Sequence, residues 1–91
     1  MANKIQANQA EIERALVEIV AKIAAIDVAK VSLERELRGE YLVDSLSTAE
    51  FVMGVEEAFD IELENDAVEK AFKRRPMTVR TVAELVRVSE F

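Results

Sequence analysis

Apolar side chains recur at Ile12, Leu16, Ile19, Val20 and Ile23, a spacing that gathers them on one face of a helix turning about 100° per residue. This predicts a long first helix that begins somewhere after Ala2. The regularity lapses from about residue 27 to 43, where Gly39 and the unevenly spaced Val31, Leu33, Leu37 and Tyr41 indicate an extended connection pinned to the core by those four side chains. So long a connection in a small domain usually carries function. One-sided spacing resumes at Thr48, Phe51, Val52, Val55 and Phe59, predicting a second helix from Asp44 or Ser45, both good N-cap types, to about Phe59, with Gly54 inside it. Residues 60–65 alternate acidic and apolar, with Ile61 and Leu63 turned inward. With no second strand to pair with, that stretch reads as a loop. A short third helix follows over about residues 66–74, packing through Val68, Ala71 and Phe72 and ended by Pro76. Thr78 then caps a fourth, whose Val79, Val82, Ala83 and Val86 share a face, with Leu85 close by.

These faces close one core: an all-α four-helix domain over residues 1–91, with a long loop between helices 1 and 2 and a short helix 3. The length suits one core and not two. Hydrophobic residues make up 51% and charged residues 33% of the chain, a balance expected of a folded domain rather than a disordered tail. Charges interrupt every apolar run, so no membrane span is expected, and the start of the chain lacks the basic and apolar blocks of a secretory signal. A cytoplasmic monomer is the expectation.

Cysteine and histidine are both absent. Thiolate metal sites and cysteine nucleophiles are thereby excluded, and the usual general base is lost. Any sulfur chemistry must be imported. The net charge of -6 argues against nucleic acid and for a basic protein surface as partner.

The second helix has an unusual outer face. Leu46, Glu50, Met53, Gly54 and Glu57 fall together away from the core stripe, setting two large apolar residues in an acidic strip. A single exposed apolar residue means little. Here, however, Met offers an adaptable contact, Gly54 admits a close approach, and the flanking acids steer a basic partner. Asp44, Glu50, Glu56, Glu57, Asp60, Glu62, Glu64, Asp66 and Glu69 follow one another with no Lys or Arg between. The plain alternative is a solvated face, although mixed charges would serve solubility with less self-repulsion.

Asp44-Ser45-Leu46, with Glu50-Phe51-Val52-Met53 and the run from Glu56 to Glu62, resembles the second-helix signature of the acyl carrier protein family. The likeness extends from the first helix to the Thr78-Val79 start of the fourth. It implies an acyl-carrier-protein-like bundle in which Ser45 is the attachment point of a 4'-phosphopantetheine arm, flanked by Asp44 and Leu46. The arm comes covalently from coenzyme A when the Ser45 hydroxyl attacks its pyrophosphate inside a magnesium-dependent phosphopantetheinyl transferase. On physical grounds a serine at a helix N-terminus is exposed, and the free amides and helix dipole there favour the phosphodiester. Ser45 can also serve simply as a cap. The arm would supply the missing thiol, on which cargo rides as a thioester.

The resemblance further assigns partner contacts to Glu50, Met53, Glu56 and Glu57. Expected partners are acyl-loading, ketosynthase, acyltransferase or ligase-type enzymes with basic docking surfaces. It also suggests a cargo pocket between helices 2 and 3, lined by Val52, Phe59, Ile61, Ala67, Val68 and Phe72, for which ordinary core packing is the competing role. Departures from fatty-acid carriers are Ser47 where an acid is usual and Tyr41-Leu42 where Leu-Gly is common. They point to a dedicated polyketide, specialised-lipid or aminoacyl system. Lys73-Arg74-Arg75 fits favourable charge at the end of helix 3.

Three other readings compete. Asp60, Glu62, Glu64 and Asp66 open like a calcium loop, but Asn65 replaces the turn glycine and Ala71 the bidentate glutamate. An unmodified acidic helical adaptor explains the acidic strip but not Ser45. An enzyme would have to work with carboxylates alone in a domain offering little cleft.

Overall fold

The computed structural model describes residues 8–89. In chain order these form α1 (Gln9–Ala24), a 3-10 turn (Val28–Lys30), α2 (Ser45–Phe59), α3 (Asn65–Ala71) and α4 (Val79–Ser89), with no strand among the described residues. Residues 1–7 and the last two residues lie outside this description, and with them the part of the expected first helix between Ala2 and Asn8.

α1 starts where the sequence can satisfy its orphan amides. The Asn8 side chain accepts from the Glu11 N–H at 2.9 Å, and Glu11 Oε1 accepts from the Asn8 N–H at 3.3 Å, a reciprocal capping box. The helix stops at Ala25, which turns left-handed (φ 59°) while the Ile26 N–H returns to the Ala21 carbonyl at 3.0 Å. Its inner face buries Ile12, Leu16, Val20 and Ala21, with Ile19 and Ile23 half-buried beside them.

α1 packs against both α2 and α4. α2 contributes Phe51, Val52, Val55 and Phe59, and α4 contributes Val79, Val82, Ala83 and Val86. The start of α4 is capped as the sequence indicates: the Thr81 N–H donates to Thr78 Oγ1 at 3.1 Å, and the Thr78 N–H to Thr81 Oγ1 at 2.8 Å.

The long connection is more ordered than its irregular sequence suggests. It opens with the 3-10 turn, capped by the Asp27 side chain. Val31 and Leu37 are then buried, Leu33 and Tyr41 pack partly against the core, and the Tyr41 hydroxyl accepts from the Ser32 N–H and donates to the Lys30 carbonyl. The Leu37 N–H donates to the Met77 carbonyl at 2.8 Å, while the Leu37 carbonyl accepts from the amides of Tyr41 and Leu42. Leu42 and Met77, neither read as core from the sequence, are 1% and 2% exposed.

The expected end of helix 3 requires correction. α3 stops at Ala71, short of the basic triplet and well before Pro76. Phe72 leaves the helical region (φ -114°, ψ 19°) as its ring enters the core. Its carbonyl, which one more helical turn would use, is taken by the Arg38 guanidinium at 3.2 Å. Residues 60–64 form a loop with Ile61 and Leu63 half-buried against the core.

Candidate functional site

Asp44 and Ser45 make the first turn of α2 together. Asp44 is extended (φ -147°, ψ 178°), and its carboxylate accepts from the Ser47 N–H at 2.8 Å, as an N-cap does. That bond holds the Asp44 carboxyl below the usual carboxylate range. Ser45 is therefore the first helical residue. It is exposed, and its hydroxyl makes no hydrogen bond among the described residues. Thr48 locks the turn from the following position, its hydroxyl donating to the Asp44 carbonyl at 3.1 Å. The Asp44 carboxylate also draws on the Leu46 amide, so the Ser45 amide is the one of these first-turn donors that has no partner among the described residues.

Leu46 and Met53 are 67% and 59% exposed, on the outer face of α2 where their spacing sets them. Glu50 and Glu57 are exposed on the same side of the helix. The other two residues read into this face behave differently. Gly54 is indeed a point of close approach, but the approaching surface is α1: a Cβ placed there would lie 3.1 Å from Ile19 Cγ2. Gly54 stands at the border between core and outer face, where helical geometry puts it nearer the core than the strip suggested. Glu56 is half-buried, and its carboxylate accepts from the Leu63 N–H at 2.8 Å, so it ties α2 to the loop that leads into α3.

Beside Ser45 opens a cavity of about 420 Å³ lined by Arg38, Ser45, Thr48, Ala49, Val52, Val68, Glu69, Phe72 and Met77. Three of the six residues proposed for a cargo pocket, Val52, Val68 and Phe72, form its walls. Phe59 is buried in the main core, Ile61 packs on the core's edge, and Ala67 faces solvent. Ala67 sits about 100° round the short α3 from Val68 and is exposed where Val68 is half-buried. A larger, more open groove of about 630 Å³ between α1 and the segment around Val28–Leu33 contains none of these residues.

Sequence reasoning passed over Arg38, which organises one wall of the cavity. Its Nε donates to Glu36 Oε2 at 2.7 Å and its Nη2 to Glu36 Oε1 at 3.2 Å, the forked pairing of guanidinium and carboxylate. Nη1 reaches the Phe72 carbonyl and Nη2 the Arg75 carbonyl at 3.4 Å. Glu36 also accepts from the Met77 N–H at 3.1 Å, and the Arg38 guanidinium beside it pulls its carboxyl down from the ordinary value. One ion pair thus joins the long connection, the end of α3 and the approach to α4. Only its spacing, two residues apart at the end of an aperiodic stretch, was visible in sequence, and that spacing does not show partners more than thirty residues away.

Among the described residues, no helix is long and apolar enough to cross a membrane. Residues 14–88 match the family model described as "Phosphopantetheine attachment site".

Proposed function

Because the chain belongs to the phosphopantetheine-binding carrier family, we propose that it is an acyl carrier protein, armed at Ser45, that presents acyl or polyketide intermediates to separate biosynthetic enzymes. Its family membership makes it a carrier with a 4'-phosphopantetheine prosthetic group. The terminal thiol of that arm, when bound, supplies the sulfur for thioester-linked cargo.

One observation carries the choice of residue: Ser45 alone combines an exposed, uncommitted hydroxyl with the leading end of α2 and the mouth of a cavity. A transferase can reach the hydroxyl there, and its attack on the pyrophosphate of coenzyme A forms one phosphodiester as the nucleotide portion departs. The Ser45 amide and the α2 dipole favour the negative charge of the transition state and of the product phosphodiester. The Asp44 carboxylate opposes this locally, and its hydrogen bond from the Ser47 amide fixes it as the helix cap.

Docking follows the same surface. Leu46 and Met53 present apolar area between Glu50 and Glu57, which suits a partner offering a hydrophobic contact within a basic rim. The cavity walled by Val52, Val68 and Phe72 is suited to shelter cargo that folds back from Ser45. The reading is of a protein that carries cargo and is itself a substrate of the phosphopantetheinyl transferase.

Incubation with coenzyme A, magnesium and a broad-specificity transferase should add the mass of a single phosphopantetheinyl group, and Ser45→Ala should remove the gain without altering the helical circular-dichroism spectrum. An unchanged mass under conditions that load a control carrier would overturn the assignment and leave the acidic adaptor as the better reading.

A further inference from the structure

The acidic run of residues 44–69 is followed at once by its opposite. Lys70, Lys73, Arg74 and Arg75 come next, and no acid appears until Glu84. Charge at the end of a helix accounts for part of this cluster only if the helix reaches it. α3 ends at Ala71, so Lys73, Arg74 and Arg75 lie past its last turn. All are exposed. Arg75 pairs with Glu84 at 3.0 Å, whereas Lys70, Lys73 and Arg74 form no ion pair among the described residues.

In a chain of net charge -6, unpaired cations have abundant carboxylates to fold against. The structure instead spends its nearby pairs on Arg38 and Arg75 and leaves three exposed cations next in sequence to the cavity-lining residues Glu69 and Phe72. The Arg38 guanidinium, neutralised by Glu36, holds the Phe72 and Arg75 carbonyls and so fixes the backbone on either side of Lys73 and Arg74. The surface around the cavity is thus bipolar, negative along α2 and positive beyond α3.

We infer that Lys70, Lys73 and Arg74 form a second docking surface, one that meets acidic side chains on a protein partner. An anionic bilayer fits less well. The few kilocalories that three cations contribute near a membrane must overcome repulsion of the acidic body, and the exposed large apolar residues, Val28, Val43, Leu46, Met53 and Val88, do not include any beside the cluster that could insert. A protein whose basic patch borders an acidic one complements both halves and rejects the molecule rotated about α2, because like charges would then oppose. The inference extends the docking reading of α2, but the basic surface stands on its own charges and does not require Ser45 to be loaded.

The test uses the full isotope-labelled chain and a short polyglutamate peptide as the acidic probe at low ionic strength. Amide shifts should concentrate on residues 70–75. Lys73→Glu with Arg74→Glu should weaken binding about tenfold or more, Lys73→Gln with Arg74→Gln should weaken it less, and Glu50→Lys with Glu57→Lys should not weaken it. Circular dichroism checks that each variant is folded. Shifts spread evenly over the surface, or unaffected by reversal at 73 and 74, would overturn the inference. So would co-sedimentation with phosphatidylserine vesicles in preference to peptide binding, or peptide-independent self-association lost in the same variant, which would assign the patch to lipid or to a second copy. Failure of coenzyme A loading at Ser45 with peptide binding intact would count against the carrier assignment alone.

Discussion

Glu56 separates two roles that the acidic strip of α2 runs together. Its neighbours Glu50 and Glu57 are exposed and form no hydrogen bond or ion pair among the described residues, whereas the Glu56 carboxylate accepts the part-buried Leu63 amide at 2.8 Å. Glu56→Ala deletes the acceptor and strands that N–H. A hydrogen bond to a charged group contributes about 1.5–3 kcal/mol, and an unsatisfied buried donor costs about 1–3 kcal/mol. Because Glu56 is only half-buried and water can partly replace it, the expected loss is the lower part of that range, about 1–2 kcal/mol. For a domain of this size that lowers the melting temperature by about 4–15 °C. Glu57→Ala and Glu50→Ala, as surface changes, should stay within about 0.5 kcal/mol of the parent. Glu56→Gln keeps an oxygen in place and should recover part of the loss. Thermal and urea melts give the energies, and hydrogen exchange at the Leu63 amide gives the site, which should lose protection in Glu56→Ala alone. Equal melting of the Glu56→Ala and Glu57→Ala variants, with Leu63 exchange unchanged, would show that Glu56 is no more than another solvated charge.

Gly54→Val should destabilise by about 1–3 kcal/mol through overlap with Ile19, and adding Ile19→Ala should restore part of it in a melt; a Gly54→Val protein as stable as the parent would mean α1 and α2 are not this close. Asp44 and Glu36 both have carboxyls depressed by hydrogen bonds, so the stability they add is fully present above the unfolded carboxyl pKa of about 4 and disappears as pH falls through the lower folded values. Urea midpoints should therefore drop on acidification less steeply for Asp44→Asn with Glu36→Gln than for the parent, and parallel curves would contradict the linkage. Glu50→Lys with Glu57→Lys should slow delivery of cargo to a partner enzyme, and added salt should slow the parent likewise. Transfer indifferent to both would reduce the α2 strip to a solvated face.

How much could be read beforehand depended on whether a residue's neighbours were local. α1, α2 and α4 repeat their buried positions every three or four residues, so Ile12 through Val20, Phe51 through Phe59 and Val79 through Val86 could be placed without coordinates. Ser45 could be placed because an N-cap and its helix are adjacent in sequence. Leu42 and Met77 could not, since each fills the core from an aperiodic stretch and is fixed by backbone bonds to Leu37. The end of α3 was misjudged because proline is a visible stop and the competing cause, a guanidinium from residue 38 capturing the Phe72 carbonyl, is not. Gly54 was assigned to the wrong side because a position near the border between faces is decided by which helix lies alongside, here α1 with Ile19. The resemblance suggests Ala67 for the cargo pocket, but the short α3 turns Val68 and Ala71 towards the core and Ala67 to solvent.

The three long helices brace one another through α1, whereas among the described residues α3 shows no comparable contact with another helix. It hangs between a carboxylate from Glu56 just ahead of it and the fork of Arg38 just behind, with Val68 and Phe72 resting on the frame below. Swinging that short segment aside would undo two tethers and widen the chamber next to position 45, while the platform that bears the serine stays where it is.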